Sequence, residues 1–226
     1  MQNTLALFDL DNTLLAGDSD HAWGEFLIDK GLVDAAEHRR RNDEFYQDYL
    51  DARLDIHAYV RFTLEAIAGL KTDELAALHS EFMEQAIKPI ILEQGRTLIQ
   101  QHQQQGDCCV IITATNSFIT RPIAAELGVD TLIATDLVTN GDGFSGEIAG
   151  VPCYQDGKVT RLEQWIASQD PDFELARSVF YSDSINDLPL LKKVGQPVAV
   201  DPDDRLADHA RLSGWPIISL RENAAD

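Results

Sequence analysis

The sequence is short of cysteine, of cations and of long apolar runs, and each shortage narrows what the chain can be. Its three cysteines are Cys108, Cys109 and Cys153. Two are adjacent inside an apolar run, so they read as small buried hydrophobes rather than as a disulfide framework or a zinc site. A reducing, cytoplasmic compartment is expected. Lysine and arginine total 18 against 38 aspartates and glutamates, a net charge of −20. Such a chain is a poor ligand for nucleic acid or an anionic membrane, both of which need clustered cations. No stretch is long enough to span a bilayer. The first apolar run has no basic lead and is broken at Asp9, so no signal peptide is expected. Internal repeats and low-complexity tracts are also missing, and the glutamine-rich stretch 100–105 reads as solvated helix surface.

What is present is an ordinary globular composition, 44% apolar and 25% charged. At 226 residues the chain is either one large domain or a core carrying an inserted module. Given its charge, an anionic substrate would have to be bound by local devices: a divalent cation, a lysine and backbone N–H groups.

The most informative stretch is Thr4-Leu5-Ala6-Leu7-Phe8-Asp9-Leu10-Asp11-Asn12-Thr13. A short apolar run ending in polar residues reads as a buried parallel strand, and ligands of open α/β sheets bind at the carboxyl ends of such strands. The period-2 alternation of a strand would put Asp9 and Asp11 on one face. Two carboxylates there repel each other unless a metal ion or a lysine sits between them. The plainer reading is a turn or helix-capping pair of aspartates after a structural strand.

From about 20 to 105 no convincing strand is found. Apolar residues recur at helical spacing (Trp23, Phe26, Leu27; Phe45, Tyr49; Tyr59, Phe62, Ile67; Leu75, Leu78, Phe82). Asp55 and Thr72 are candidate N-caps, and Gly31 and Gly69 candidate helix ends. Residues 17–88 are therefore expected to form an all-helical insertion, followed by a helix over about 90–105. Strands are predicted at Cys108–Thr113, at Leu132–Thr135, at Ser178–Asp183, and as short edge strands at Pro197–Val200 and Pro216–Ser219. Residues 139–155 are glycine-rich and predict a hairpin, and Gly157-Lys158 opens a helix. Strand–helix alternation from 107 onward indicates an α/β fold, a parallel sheet with helices on both faces.

Four separated pieces fall at strand ends or at helix starts: Asp9 with Asp11, Thr113, Lys158, and Asp183 with Asn186 and Asp187. In this order they resemble the haloacid dehalogenase superfamily of phosphohydrolases. The matching residues are Asp9-Leu10-Asp11-Asn12-Thr13, Thr113, Lys158 and Asp183-Ser184-Ile185-Asn186-Asp187. With the helical insertion lying between the first two motifs, the chain is similar to the subgroup (subfamily IB) that includes phosphoserine phosphatase. The resemblance implies a Rossmann-like core over 1–16 and 89–226, with an all-helical cap (C1 type) over 17–88. It implies Mg²⁺-dependent hydrolysis of a small-molecule phosphate monoester through an aspartyl-phosphate. In that chemistry Asp9 would attack phosphorus. Asp11 would protonate the leaving alkoxide and then activate water. Thr113 would hold a phosphoryl oxygen and Lys158 would neutralise charge. Mg²⁺ would be held by Asp9, the Asp11 carbonyl and Asp183, with Asn186 and Asp187 in support. Ser182 stands where glycine is common in the pattern. Asp18 stands where phosphoserine phosphatases carry a glutamate that reads the substrate amine, so an amine-bearing ester related to phosphoserine or histidinol phosphate is the expected substrate. Arg53 and Arg61 are candidates for a substrate carboxylate, and Asn116 for a further contact. Phosphoryl transfer to a second hydroxyl, and a phospho-accepting regulatory domain, are the alternative functions. Taken singly, Thr113, Lys158 and Asp187 read as a strand-end hydroxyl, a surface lysine and a first-turn acid favourable to a helix dipole.

Overall fold

The computed structural model describes residues 4–141, 143–169 and 173–221. Six parallel strands form one sheet in the order β3-β2-β1-β6-β7-β8: β1 (Leu5–Phe8), β2 (Cys108–Asn116), β3 (Thr131–Thr135), β6 (Val179–Ser182), β7 (Gln196–Val200) and β8 (Ile217–Ile218). The four residues of β1 are fully buried, because both faces of the strand are covered. Ala6 and Phe8 join one apolar cluster, Leu5 and Leu7 the other. Period-2 alternation thus feeds two cores, one on each side of the sheet.

The strand order reverses at β1: β2 and β3 lie on one side, β6 and β7 on the other. In open α/β sheets the crevice at the carboxyl ends of such strands is the natural ligand site. Asp9 follows β1 there and Asp183 follows β6. Their elements are in register, with Phe8 opposite Tyr181 and the Asp9 N–H donating to the Tyr181 carbonyl at 2.9 Å.

Between β1 and β2 lie α1 (Ser19–Asp29), α2 (Ala35–Leu50), α3 (Ile56–Glu65), α4 (Thr72–Phe82) and α5 (Glu93–Gln105). A π-helical turn (Met83–Ile87) and a 3₁₀ turn (Lys88–Ile90) join α4 to α5. Asp18, Asp34 and Asp55 cap the first three helices by accepting backbone N–H bonds. The fourth starts one residue earlier than expected: Lys71 is the N-cap and Thr72 lies inside the helix, because Glu74 reaches back to the Lys71 N–H at 2.9 Å. The chain leaves the sheet at Leu14–Ala16 and returns at Ile90–Leu92, and these segments pair. The Ala16 N–H donates to Ile90 O at 2.7 Å and the Leu92 N–H to Leu14 O at 3.0 Å. Trp23 of α1 packs edge-on against Phe82 (4.9 Å) and against Phe118 (5.6 Å).

After β2 come α6 (Ser117–Glu126) and β3. The antiparallel pair β4 (Leu137–Asn140) and β5 (Gly143–Ile148) follows, then α7 (Asp156–Ala167), β6, a 3₁₀ turn (Ile185–Asp187), α8 (Leu188–Leu191) and α9 (Asp204–Ser213). Three expectations are corrected. The second strand runs on to Asn116, past an irregularity in its pairing with β3, since Asn116 still pairs with Thr135. The hairpin ends at Ile148 rather than 155. The strand β7, expected at an edge, is internal because β8 pairs outside it. Among the described residues no helix is long and apolar enough to cross a membrane.

Candidate active site

The segment after β1 turns sharply. Asn12 adopts φ 58°, a left-handed conformation that asparagine tolerates better than most residues. The turn sends Asp9, Asp11 and Thr13 back over the end of the sheet. Asp9 is 6% exposed, and its Oδ1 accepts from Lys158 Nζ at 2.7 Å. Thr13 Oγ1 lies 3.3 Å from Asp9 Oδ2 and 3.1 Å from Asp183 Oδ1, and it accepts the Asp183 N–H at 3.1 Å. One hydroxyl proton is thus shared by two carboxylates.

Lys158 reaches this point because α7 packs closely on the preceding loop. A Cβ on Gly157 would sit 2.0 Å from the Pro152 carbonyl oxygen, so the first turn of α7 requires glycine there. Lys158 is 3% exposed and bridges Asp9 and Asp187, its Nζ 2.7 Å from an oxygen of each. Burial alone would push the ammonium down, but the Asp187 and Asp9 carboxylates outweigh it and hold the lysine above its ordinary value. Ser182, at the position where glycine was expected, donates to Asp187 Oδ2 at 2.7 Å and accepts the Ser184 N–H at 3.2 Å, bracing the loop after β6.

Asp11 points toward α1 and the end of β2. Its Oδ1 accepts the Ser19 N–H at 2.6 Å and its Oδ2 the Thr115 hydroxyl at 2.8 Å. Burial, then the Asp18 charge, raise its carboxyl to about 7. Thr113 is buried and accepts the Thr115 N–H at 3.2 Å. Asp11, Asp18, Thr113 and Thr115, with Asp9, Lys158 and Asp187, line a cavity of about 50 Å³. Asp20, His21, Asn42, Phe45, Tyr46, Tyr49 and Tyr59 from the α1–α3 region line it too, with Tyr154 and Asn186.

Not every expected residue arrives there. Asn116 caps α6 by accepting the Ile119 N–H at 3.2 Å and is absent from the cavity lining. Arg53 and Arg61 are also absent from it. Arg53 is 63% exposed and is held by Asp48 (2.9 Å) and Asp51 (3.0 Å). Arg61 lies on the outer side of α3 in a separate depression with Ser145 and Gly146. Thr115, Asp20 and Gln155 are not among the residues that the sequence singles out. Thr115 was visible as the next same-face residue after Thr113, and Asp20 as a second acid at the start of α1. Gln155, at the unusual φ 49°, donates from Nε2 to the Ala52 carbonyl at 3.2 Å. No local pattern marks that contact.

The donor set suits a hard cation. Asp183 is held well above the ordinary carboxyl range by burial and by Asp9 and Asp187. Among the described residues its carboxylate receives only the shared Thr13 hydroxyl. The excess negative charge beside Asp9 therefore calls for a cation with oxygen ligands. Among those residues no three His, Cys, Asp or Glu side chains form a ready-made cage, but Mg²⁺ needs only one or two carboxylates and keeps several waters.

The chain is 46% identical over 219 residues to the histidinol-phosphatase of Neisseria meningitidis serogroup C (strain 8013), covering 96% of this chain and 99% of that one. A Bordetella pertussis Tohama I protein of unknown function superposes with a TM-score of 0.90 at 43% identity, over 98% of this chain and 100% of that chain. A substrate-bound phosphoserine phosphatase has the same fold, with a TM-score of 0.71 at 16% identity, over 99% and 95%. Residues 6–192 match the haloacid dehalogenase-like hydrolase family, and the chain belongs to that family.

Proposed function

We propose that this protein is a Mg²⁺-dependent phosphatase that cleaves a small amine-bearing phosphate monoester through an aspartyl-phosphate on Asp9. Family and relatives make it a phosphoric monoester hydrolase. The observation that carries the mechanism is the division of labour between two neighbouring aspartates. Asp9 is a lysine-paired carboxylate at the strand end, and Asp11 is a carboxyl raised to about 7 in the same cavity. Burial raises both carboxyls, but Asp9 faces a cation whereas Asp11 accepts from the neutral Ser19 N–H and Thr115 hydroxyl, and that difference in partners suits them to different roles.

Asp9 attacks phosphorus, and the ester oxygen departs with the Asp11 proton. Asp11, now ionised, takes a proton from the water that releases phosphate. Lys158 offsets charge on Asp9 and the phosphoryl group, Thr113 in the same cavity lining would hold a phosphoryl oxygen, and Asp187 with Ser182 holds Lys158 in place. Asp9, Asp183 and the Asp11 carbonyl would hold Mg²⁺, which when bound neutralises the phosphoryl oxygens and the crowded carboxylates. Residues 17–88 act as a cap that shuts out water, swinging on the paired segments at Leu14–Ala16 and Ile90–Leu92. Asp18 at the start of α1 favours an ammonium on the substrate, as in phosphoserine or histidinol phosphate. The named activity of the Neisseria relative leans toward the second.

Phosphate release from a panel of monoesters, with Mg²⁺ and with EDTA, tests this reading. Metal-dependent turnover that drops by about 10³-fold or more in Asp9→Asn is expected. Turnover unaffected by that substitution would sink the mechanism.

A further inference from the structure

The cavity is markedly one-sided in charge. Five aspartates line it (Asp9, Asp11, Asp18, Asp20 and Asp187), and Lys158 is the one lysine or arginine in the lining. That lysine is already committed to Asp9 and Asp187. The two arginines that could have met a substrate carboxylate face elsewhere. A buried carboxylate without a counter-charge is strongly disfavoured, because burial removes its hydration and supplies nothing in return. Asp20 stands in this lining, close enough to Asp18 and Asp11 to feel their charges. It is 7% exposed, yet among the described residues its carboxylate has one side-chain hydrogen bond, a long 3.4 Å contact from Asn116 Nδ2. The Thr115 hydroxyl lies near Asp20 as well, but its 2.8 Å bond is made to Asp11. Asp18 differs, since its Oδ1 is occupied by the His21 N–H at 2.8 Å. The surrounding wall is aromatic: Phe45, Tyr46, Tyr49 and Tyr59. An under-bonded buried carboxylate beside aromatic faces matches an ammonium group, which is attracted to both.

We infer that Asp20 is a specificity-determining residue that pairs with the ammonium of a carboxylate-free amino-alcohol phosphate, and that the acidic cavity rejects phosphorylated amino acids. This rests on the phosphatase reading above and narrows it, setting phosphoserine aside. Discrimination of this kind is large, since a polar site that leaves a buried charge unpaired rejects by about 10²-fold or more.

The experiment compares kcat/KM with Mg²⁺ for histidinol phosphate, phosphoethanolamine, phosphoserine and p-nitrophenyl phosphate, a probe without amine or carboxylate, alongside calorimetry of histidinol and serine binding. The two amino-alcohol esters are expected to exceed phosphoserine by about 10²-fold. In Asp20→Asn the ratio of amino-alcohol ester to p-nitrophenyl phosphate should narrow at least about tenfold, chiefly through KM, and Asp20→Glu should restore part of it. If p-nitrophenyl phosphate is hydrolysed but phosphoserine matches or exceeds the amino-alcohol esters, the inference is overturned and the phosphatase reading stands. Loss of phosphoserine turnover in Arg53→Ala would then identify the missing counter-charge. An equal fall for all substrates in Asp20→Asn would make the residue structural. If no ester is cleaved, the phosphatase reading fails. Calorimetry still decides the inference then: histidinol binding lost in Asp20→Asn supports it, and serine binding as tightly as histidinol refutes it.

Discussion

At the scale of single residues the site depends on one cation placed between two acids. Lys158→Ala would leave Asp9 and Asp187 facing each other in a buried setting. The expected result is a fall in kcat of about 10²-fold or more, with about 3 kcal/mol of lost stability from the uncompensated charges. Activity assays and chemical denaturation check both. Gly157 is its silent partner. Because a Cβ there would meet the Pro152 oxygen at 2.0 Å, Gly157→Ala should cost about 1–3 kcal/mol and displace Lys158. Activity should therefore fall although no catalytic group has changed. A fully active, fully stable Gly157→Ala protein would show that α7 is not held as described.

At the scale of elements, position comes from strand ends and helix starts. The strand β1 delivers Asp9 and β6 delivers Asp183. The first turn of α1 supplies Asp18 and Asp20 and gives the Ser19 N–H to Asp11. Acids at a helix N-terminus are favoured by its dipole, so this crowd of carboxylates has some local relief. The helical insertion is tied down at its base by the bonds Ala16 N–H to Ile90 O and Leu92 N–H to Leu14 O. Ala16 itself is exposed, so Ala16→Pro removes one of these bonds with little loss of packing. It should lower stability by about 1–3 kcal/mol and raise KM more than it lowers kcat. Steady-state kinetics would tell, and an unchanged KM would argue that the base does not set the position of the helices over the site.

At the scale of the whole molecule the net charge of −20 and the acidic site act together. The Asp11 carboxyl, ordinarily 3.8, is raised to about 7, and that of Asp187 to about 6. The native state therefore holds protons that the unfolded chain has released, and metal-free stability should fall as pH rises from about 4 to 7. His38 and His79, held below 6.5 by burial, oppose this at lower pH. Above pH 6.5 only the raised carboxyls act, Asp11 together with Asp183 and Asp20, which burial also holds well above the ordinary range. In EDTA the melting temperature should fall as pH rises from about 6.5 to 8. Mg²⁺ should raise it most at pH 8, and Asp11→Asn should make the EDTA profile less steep. A flat profile for the unsubstituted protein would contradict the protonated role given to Asp11.

The amino-acid sequence by itself determined the fold class, the positions of Asp9, Asp11 and Asp183 just beyond strands, the first-turn position of Lys158, and the family. These are local matters: a four-residue apolar strand, a polar stop, a glycine before a helix. It misjudged what depends on which distant elements meet. Arg53 and Arg61 looked available until Asp48 and Asp51 held one and the outer face of α3 placed the other. The strand β7 looked like an edge until β8 paired beside it. Asp20 and Thr115 acquired meaning only when α1 and β2 were brought around one cavity, and Gln155 only when the segment before α7 met the Ala52 carbonyl. Periodicity and caps act over a few residues and can be read along the chain. The partner of a buried charge is chosen by packing among elements far apart in the chain, 170 residues in the Thr13–Asp183 contact, and only the tertiary structure decides it.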